Sequence, residues 1–179
     1  QWNLENRFTG WTDVDLSQNG IDEAKKAGNL LKNEKINLNI VYTSILKRAK
    51  NTMKICLNHL SQKDISIKYD WRLNERHYGK LQGLNKSKAA NMYGNNQVLE
   101  WRRSYDLPPP PLDDSDKRHP KFDKLYAKIN SSQLPSSESL KDTKIRVMSL
   151  WKNELSINIK LGDNTMIVAH GNSLRALIK

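Results

Sequence analysis

The sequence predicts an α/β fold with a largely parallel sheet, and three observations predict it. The short β-branched apolar runs NIVYTS at 39–44 and TMIVAH at 165–170 have the pattern of strands buried on both faces. Segments with apolar residues at helical spacing alternate with such runs. Both runs also end in polar residues that lead straight into a helix, YTS-ILKRA and AH-GNSLRA, as parallel strands with helical crossovers do.

Taken in order, the SQNG turn at 17–20 precedes Ile21, Ala24, Ala27 and Leu31, which predict a helix over 20–33. The strand 39–44 follows. Ser44 is a candidate cap for the next helix, whose face carries Leu46, Ala49, Met53, Cys56, Leu57 and Leu60. ISIKYDW at 65–71 alternates and predicts a strand. Residues 85–93 predict a short helix stopped by Gly94. QVLEWRRSYD predicts another, ended by the prolines at 108–111. Residues 112–136 are polar and Pro-containing, and predict loop with short helical pieces. Ile145, Met148, Trp151 and Leu155 predict a helix from about 138 to 157, before the strand 165–170 and a final helix from SLRALIK.

The 179 residues suit one domain with a proper core. The lone Cys56 excludes an internal disulfide and a multi-cysteine metal site, and on its apolar face it reads as packing. No apolar run approaches a membrane span, and no signal pattern opens the chain, so the expectation is a cytoplasmic protein with no membrane partner. The net charge of +11 points toward anionic partners or toward a solvated Lys-rich surface. The basic residues are spread along the chain, unlike a polybasic tail.

In parallel sheets ligands bind beyond the carboxyl ends of the strands, near helix N-termini. That rule nominates Ser44–Arg48 and His170–Arg175 as one shared site. His170 ends a buried strand, and Gly171 leaves room for a ligand near the following amides. Its alternative is a structural His in a tight turn. In LNERHYGKLQG at 73–83, Glu75 is a candidate general acid or base among Arg76, His77 and Tyr78; the alternative is an exposed salt-bridged loop. WRRSYDLPPPP at 101–111 places two arginines at a helix end beside rigid prolines, where both can reach one multidentate anion or simply be solvated. Arg48 lies in a first helical turn, where the macrodipole does not favour it and a bound anion would. There is no phosphate loop, dinucleotide fingerprint, zinc-helix motif or nucleophile elbow. DDSD at 113–116 lacks calcium-loop spacing and reads as a solvated loop. Together these groups suit a small phosphorylated carboxylic acid, with no metal required.

These stretches, QWNLENRFTGW, YTSILKRA, LNERHYGKLQGLNK, WRRSYDLPPPP and AHGNSLRAL, resemble in order the motifs of the cofactor-dependent phosphoglycerate mutases of the histidine phosphatase superfamily. The resemblance runs from residue 1 to 179. It implies a three-layer α/β/α fold with a largely parallel central sheet, and a single domain over 1–179. In the family, QWN follows a strand ending in Arg-His-Gly-Glu-Ser whose His carries the phosphoryl group. The expectation is therefore that this strand and a C-terminal part lie outside these residues. By resemblance Glu75 exchanges a proton with the substrate hydroxyl, and His170 stabilises the transferring phosphoryl group. Arg48 grips that group with the Gly171 and Asn172 region, and Asn3, Thr9 and Gly10 belong to the ligand cradle. Arg76, Tyr78, Lys86, Arg102 and Arg103 bind substrate, the last four as a clamp on the carboxylate and the non-transferring phosphate.

The implied reaction interconverts 3-phosphoglycerate and 2-phosphoglycerate through phosphohistidine, primed by 2,3-bisphosphoglycerate, with no metal and with small-molecule phosphoglycerates as partners. The family is often dimeric, so a homodimer is expected. The alternatives are a bisphosphoglycerate synthase or phosphatase of the same superfamily, and, from the charge alone, a nucleic-acid-binding protein. The spread of charge and the lack of a base-stacking motif speak against nucleic acid.

Overall fold

The computed structural model describes residue 2 and residues 5–179. Its elements run α1 (Gln18–Asn33), β1 (Ile40–Thr43), α2 (Lys47–Leu60), β2 (Ser66–Tyr69), α3 (Lys86–Tyr93), α4 (Asn95–Arg103), α5 (Leu140–Leu150), α6 (Ser156–Lys160), β3 (Thr165–Val168) and α7 (Gly171–Ile178). The chain divides into two compact units. The first comprises Asp13–Glu75 and Lys144–Lys179, and the second Trp2–Thr12 and Arg76–Thr143.

The first unit is built on a parallel sheet of order β2-β1-β3, with Ile40 opposite both Ser66 and Thr165. Strand alternation sorts its side chains. Ile40, Tyr42 and Ile167 pack with Leu73, Leu150 and Leu155. Val41, Met166 and Val168 pack with Leu31, Met53, Leu57 and Leu60. Helical residues thus cover both faces of the sheet, the layered arrangement that parallel strands need. Each fully buried Leu or Met here stabilises the fold by about 1.5–3 kcal/mol. Cys56 is buried as packing, and its thiol donates to the Ala24 carbonyl. Burial pushes its pKa up.

Three expectations are corrected in this unit. The helix after β1 starts at Lys47, and Ser44 does not cap it: Leu46 is its N-cap residue and the Ser44 hydroxyl is committed elsewhere. The strand expected over 65–71 is confined to Ser66–Tyr69 and lies exposed at the sheet edge. The helix after residue 138 does not bury Ile145, which is 65% exposed; its buried face carries Thr143, Arg146, Val147 and Leu150. Past Leu150 the chain widens into a π-helical turn, Trp151–Leu155, in which the Ser156 N–H reaches back to the Trp151 carbonyl.

In the second unit, Phe8, Leu81, Ala89, Val98 and Trp101 form the core. The Asn85 side chain caps α3 by accepting from the amides of Ser87 and Lys88, and Gly94, at φ +85°, ends it. After α4 the chain is irregular, with short 3-10 turns at Pro120–Phe122, Lys124–Tyr126 and Ser131–Gln133. The proline run works through its carbonyls. Pro110 accepts from the Lys80 N–H and Pro109 from the Ser137 hydroxyl. In the DDSD loop, Asp113, Asp114 and Asp116 pair with Lys80, Lys121 and Arg118. No described helix is long and apolar enough to cross a membrane.

Candidate active site

The carboxyl ends of β1 and β3 are neighbours. The Thr43 hydroxyl and the Ser44 N–H both donate to the Val168 carbonyl, at 2.9 and 3.3 Å. Parallel pairing therefore brings the starts of α2 and α7 together, as expected. Arg48 is the second residue of α2 and His170 the N-cap residue of α7. Ser173 fixes the turn at His170, accepting from its N–H at 3.1 Å and donating to its carbonyl at 3.0 Å.

His170 is buried, and its Nε2 has no hydrogen-bond partner among the described residues. Its pKa lies well below the usual histidine value, first because of burial, then because of the positive charges of Arg48 and Arg146. The ring is neutral at pH 7, and a buried polar atom left unsatisfied costs about 1–3 kcal/mol. Gly171 is exposed and not in a positive-φ conformation, and a Cβ there would meet nothing within 4 Å. The protein's own packing does not require glycine at this point.

Glu75 follows the β2 edge through a tight turn. Asp70 caps the 3-10 turn Trp71–Leu73 by accepting from the Arg72 N–H, and the Asn74 N–H closes onto the Trp71 carbonyl. Arg72 is locked by Asp70 and Glu154, both at 2.7 Å. The Glu75 carboxylate accepts from the Asn172 amide at 2.8 Å, and the Asn172 carbonyl oxygen faces Arg175 at 3.4 Å. The first unit thus gathers Arg48, Glu75, His170, Gly171 and Asn172. A half-buried carboxylate, a guanidinium and a neutral buried imidazole can bind an anion and exchange a proton with it.

In the second unit the Arg76 guanidinium lies 4.6 Å over the Tyr78 ring, which packs 5.2 Å from Phe8. His77, fully buried, donates its N–H to Glu138 at 2.8 Å, and its Nδ1 accepts from Gly79 at 3.1 Å. His77 therefore holds the loop and is not displayed to solvent. Gly10, at φ +52°, makes room for the Gln82 side chain, which accepts from the Trp11 N–H at 2.7 Å. The Thr9 hydroxyl oxygen is buried with no hydrogen-bond partner among the described residues. Lys86 and Arg102 line one open pocket of ≈ 350 Å³ with Ser87, Asn95 and Val98. Burial, and then the Arg102 charge, lower the Lys86 pKa. Two cations facing one hollow suit an anionic ligand. Arg103 is exposed at the last position of α4. Asn3 lies outside the described residues.

Ser44, which the sequence nominates, belongs to the first unit's cluster, and so do Arg146 and Asn74, which it does not. Arg146 has a sequence signal of its own: it falls on the same helical face as Thr143, Val147 and Leu150. A charge on an apolar helical stripe needs a partner inside.

Comparison with known proteins places this geometry among relatives. The family profile described as the histidine phosphatase superfamily (branch 1) matches residues 1–118. A 2,3-bisphosphoglycerate-dependent phosphoglycerate mutase of Borreliella burgdorferi is 55% identical over 179 residues, all of this chain and 72% of that protein. One from Nitrosococcus oceani is 54% identical over 178 residues, 99% of this chain and 74% of that protein. Among solved structures, a phosphoglycerate mutase from Bacillus anthracis superposes with a TM-score of 0.68 at 20% identity, over 98% of this chain and 72% of that one. That likeness bears on the fold, an α/β fold with a parallel sheet.

Proposed function

The chain belongs to the histidine phosphatase superfamily (branch 1), and within it to the 2,3-bisphosphoglycerate-dependent phosphoglycerate mutases, and on that premise we propose that it interconverts 2-phosphoglycerate and 3-phosphoglycerate through phosphohistidine. The observation that carries this is the buried His170 Nε2, without a partner among the described residues, in a ring that feels the charge of Arg48. A phosphoryl oxygen would satisfy that nitrogen and bring negative charge to the guanidinium.

In phosphoryl transfer, charge spreads over the equatorial oxygens, so fixed positive donors and positioning do most of the catalysis. Arg48 and His170 are the proposed holders of the transferring group, with the Gly171 and Asn172 region. Glu75 is the proposed acid and base toward the substrate hydroxyl, aimed by its hydrogen bond from Asn172. Arg76, Tyr78, Lys86, Arg102 and Arg103 are the proposed binders of the carboxylate and the second phosphate, and Asn3, Thr9 and Gly10 part of the cradle. The proposed nucleophile is a histidine on a strand ahead of Gln1. Bisphosphoglycerate supplies the priming phosphoryl group, and cationic side chains such as Arg48, Lys86 and Arg102 are the proposed counter-charge in place of a metal. A cytoplasmic homodimer, folded as one domain and acting on small molecules without nucleic acid, completes the proposal.

The test is turnover of 3-phosphoglycerate by the full-length protein with and without 2,3-bisphosphoglycerate, together with a Glu75→Gln variant. The expected outcome is primed isomerisation, reduced roughly 10²–10⁴-fold in the variant. Hydrolysis without isomerisation would replace the mutase by a phosphatase. Near-normal turnover in Glu75→Gln would remove Glu75 from its role.

A further inference from the structure

Arg146 is a buried cation whose guanidinium donates to main-chain oxygens. One terminal nitrogen donates to the carbonyls of Arg72 and Asn74, at 2.6 and 3.1 Å, and the other to that of Glu75, at 3.3 Å. The turn that presents Glu75 is therefore wrapped around one planar fork. The fork is itself anchored, because Val147 and Leu150 fix the same face of α5 in the interior, and the guanidinium lies 6.0 Å over the Trp71 ring. Burying a guanidinium costs free energy that these carbonyl dipoles offset. A fold that needed only to fill this space would be served by an apolar side chain of similar volume.

We propose that Arg146 is a positioning residue for the reaction, holding the backbone on both sides of Glu75 so that its carboxylate meets Asn172 and the substrate hydroxyl. The inference rests on Glu75 being the acid and base. It is supported by the reach of the Arg146 charge to His170, where it acts in the same direction as that of Arg48. Lysine cannot replace it. An ammonium carries its three donors on one nitrogen, and the carbonyls it would have to serve are spread along the fork.

The experiment is steady-state kinetics on the full-length protein carrying Arg146→Lys, Glu75→Gln, or both. Arg146→Lys is expected to lower kcat by roughly 10²-fold, the effect of a displacement of about 1 Å, with KM near the wild-type value and cooperative unfolding retained. The double variant is expected to be no slower than Glu75→Gln alone, because an effect exerted through Glu75 vanishes once Glu75 no longer works. Near-wild-type kcat in Arg146→Lys would overturn the proposal. So would a double variant whose losses multiply, which would place Arg146 on a separate route. An Arg146→Lys chain that does not fold would make the residue a structural support only. Near-normal turnover in Glu75→Gln alone would overturn the role of Glu75, and the inference with it; that outcome is recognised without reference to Arg146.

Discussion

The Ser44 hydroxyl donates to the Asn74 side-chain oxygen at 2.7 Å, and both residues are wholly buried. This one bond joins the end of the central strand to the residue before Glu75. Ser44 is not a helix cap, because the N-cap position falls two residues later, at Leu46. Its oxygen accepts from the Leu46 N–H at 3.2 Å, while its proton is pledged to Asn74.

Ser44→Ala is therefore expected to destabilise the fold by about 1–3 kcal/mol, because it leaves the Asn74 oxygen buried without this donor. Urea unfolding measures it. A change below about 0.5 kcal/mol, the range of ordinary surface substitutions, would mean that the bond contributes little.

His170 makes stability depend on pH. Its folded pKa lies below the unfolded value of 6.5, so the unfolded chain binds the proton more readily. The contribution of neutral His170 is fully present above about pH 6.5 and is lost as pH falls from there toward the folded pKa. From about pH 8 to pH 5 the denaturant midpoint of wild type is expected to fall more steeply than that of His170→Asn. His119 is shifted in the same direction, chiefly by burial, but it is present in both proteins and cancels. Parallel pH profiles would contradict the assignment.

Two glycines are expected to behave oppositely. Gly79 has φ +53°, and a Cβ there would collide with the Pro110 carbonyl oxygen and lie 2.9 Å from the Ser137 hydroxyl. Gly79→Ala should cost about 2 kcal/mol or more, combining left-handed backbone strain with displacement of the proline run. Gly171→Ala meets open space, so its unfolding free energy should stay within about 0.5 kcal/mol of wild type or rise slightly. Phosphate or phosphoglycerate affinity of Gly171→Ala, measured calorimetrically, should fall if the ligand approaches that backbone. Unchanged affinity would free Gly171 from the site.

The strands 40–43 and 165–168 are legible because their side chains meet packed layers on both sides, which writes an uninterrupted apolar run, although only the first is buried throughout and the second, expected to be buried, is half-buried along its length. Glu75, His170, Arg48 and Asn172, the candidate site residues, stand in short motifs, and the pairing of β1 with β3 brings the last three to adjacent helix starts. Arg146 was not legible in that way. It works through backbone carbonyls, which every residue possesses, so nothing in the sequence marks its partners. The face of α5 was misread for a related reason. Thr143 and Arg146 are polar residues on the buried side, and Ile145 is an apolar one on the exposed side, so a face drawn through Ile145 points the wrong way while Val147 and Leu150 mark the right one. The edge strand Ser66–Tyr69 shows the opposite limit: alternation gave the correct element, while Ile67 and Tyr69 remain exposed at 40% and 49%.

The widened turn at Trp151–Leu155 has a consequence for how this segment can change in length. Leu150 and Leu155 are both fully buried in the same cluster although five positions separate them, one more than an ordinary helical turn spans. The turn behaves as a slack loop in a spring, holding a surplus residue while the anchors on either side stay in phase. A chain shortened by one residue here would still present both leucines to the sheet. It would change the angular setting of Glu154, and with it the ion pairs to Arg72 and Lys68. Length in this segment is thus decoupled from the core and coupled to the charges that brace the turn ahead of Glu75.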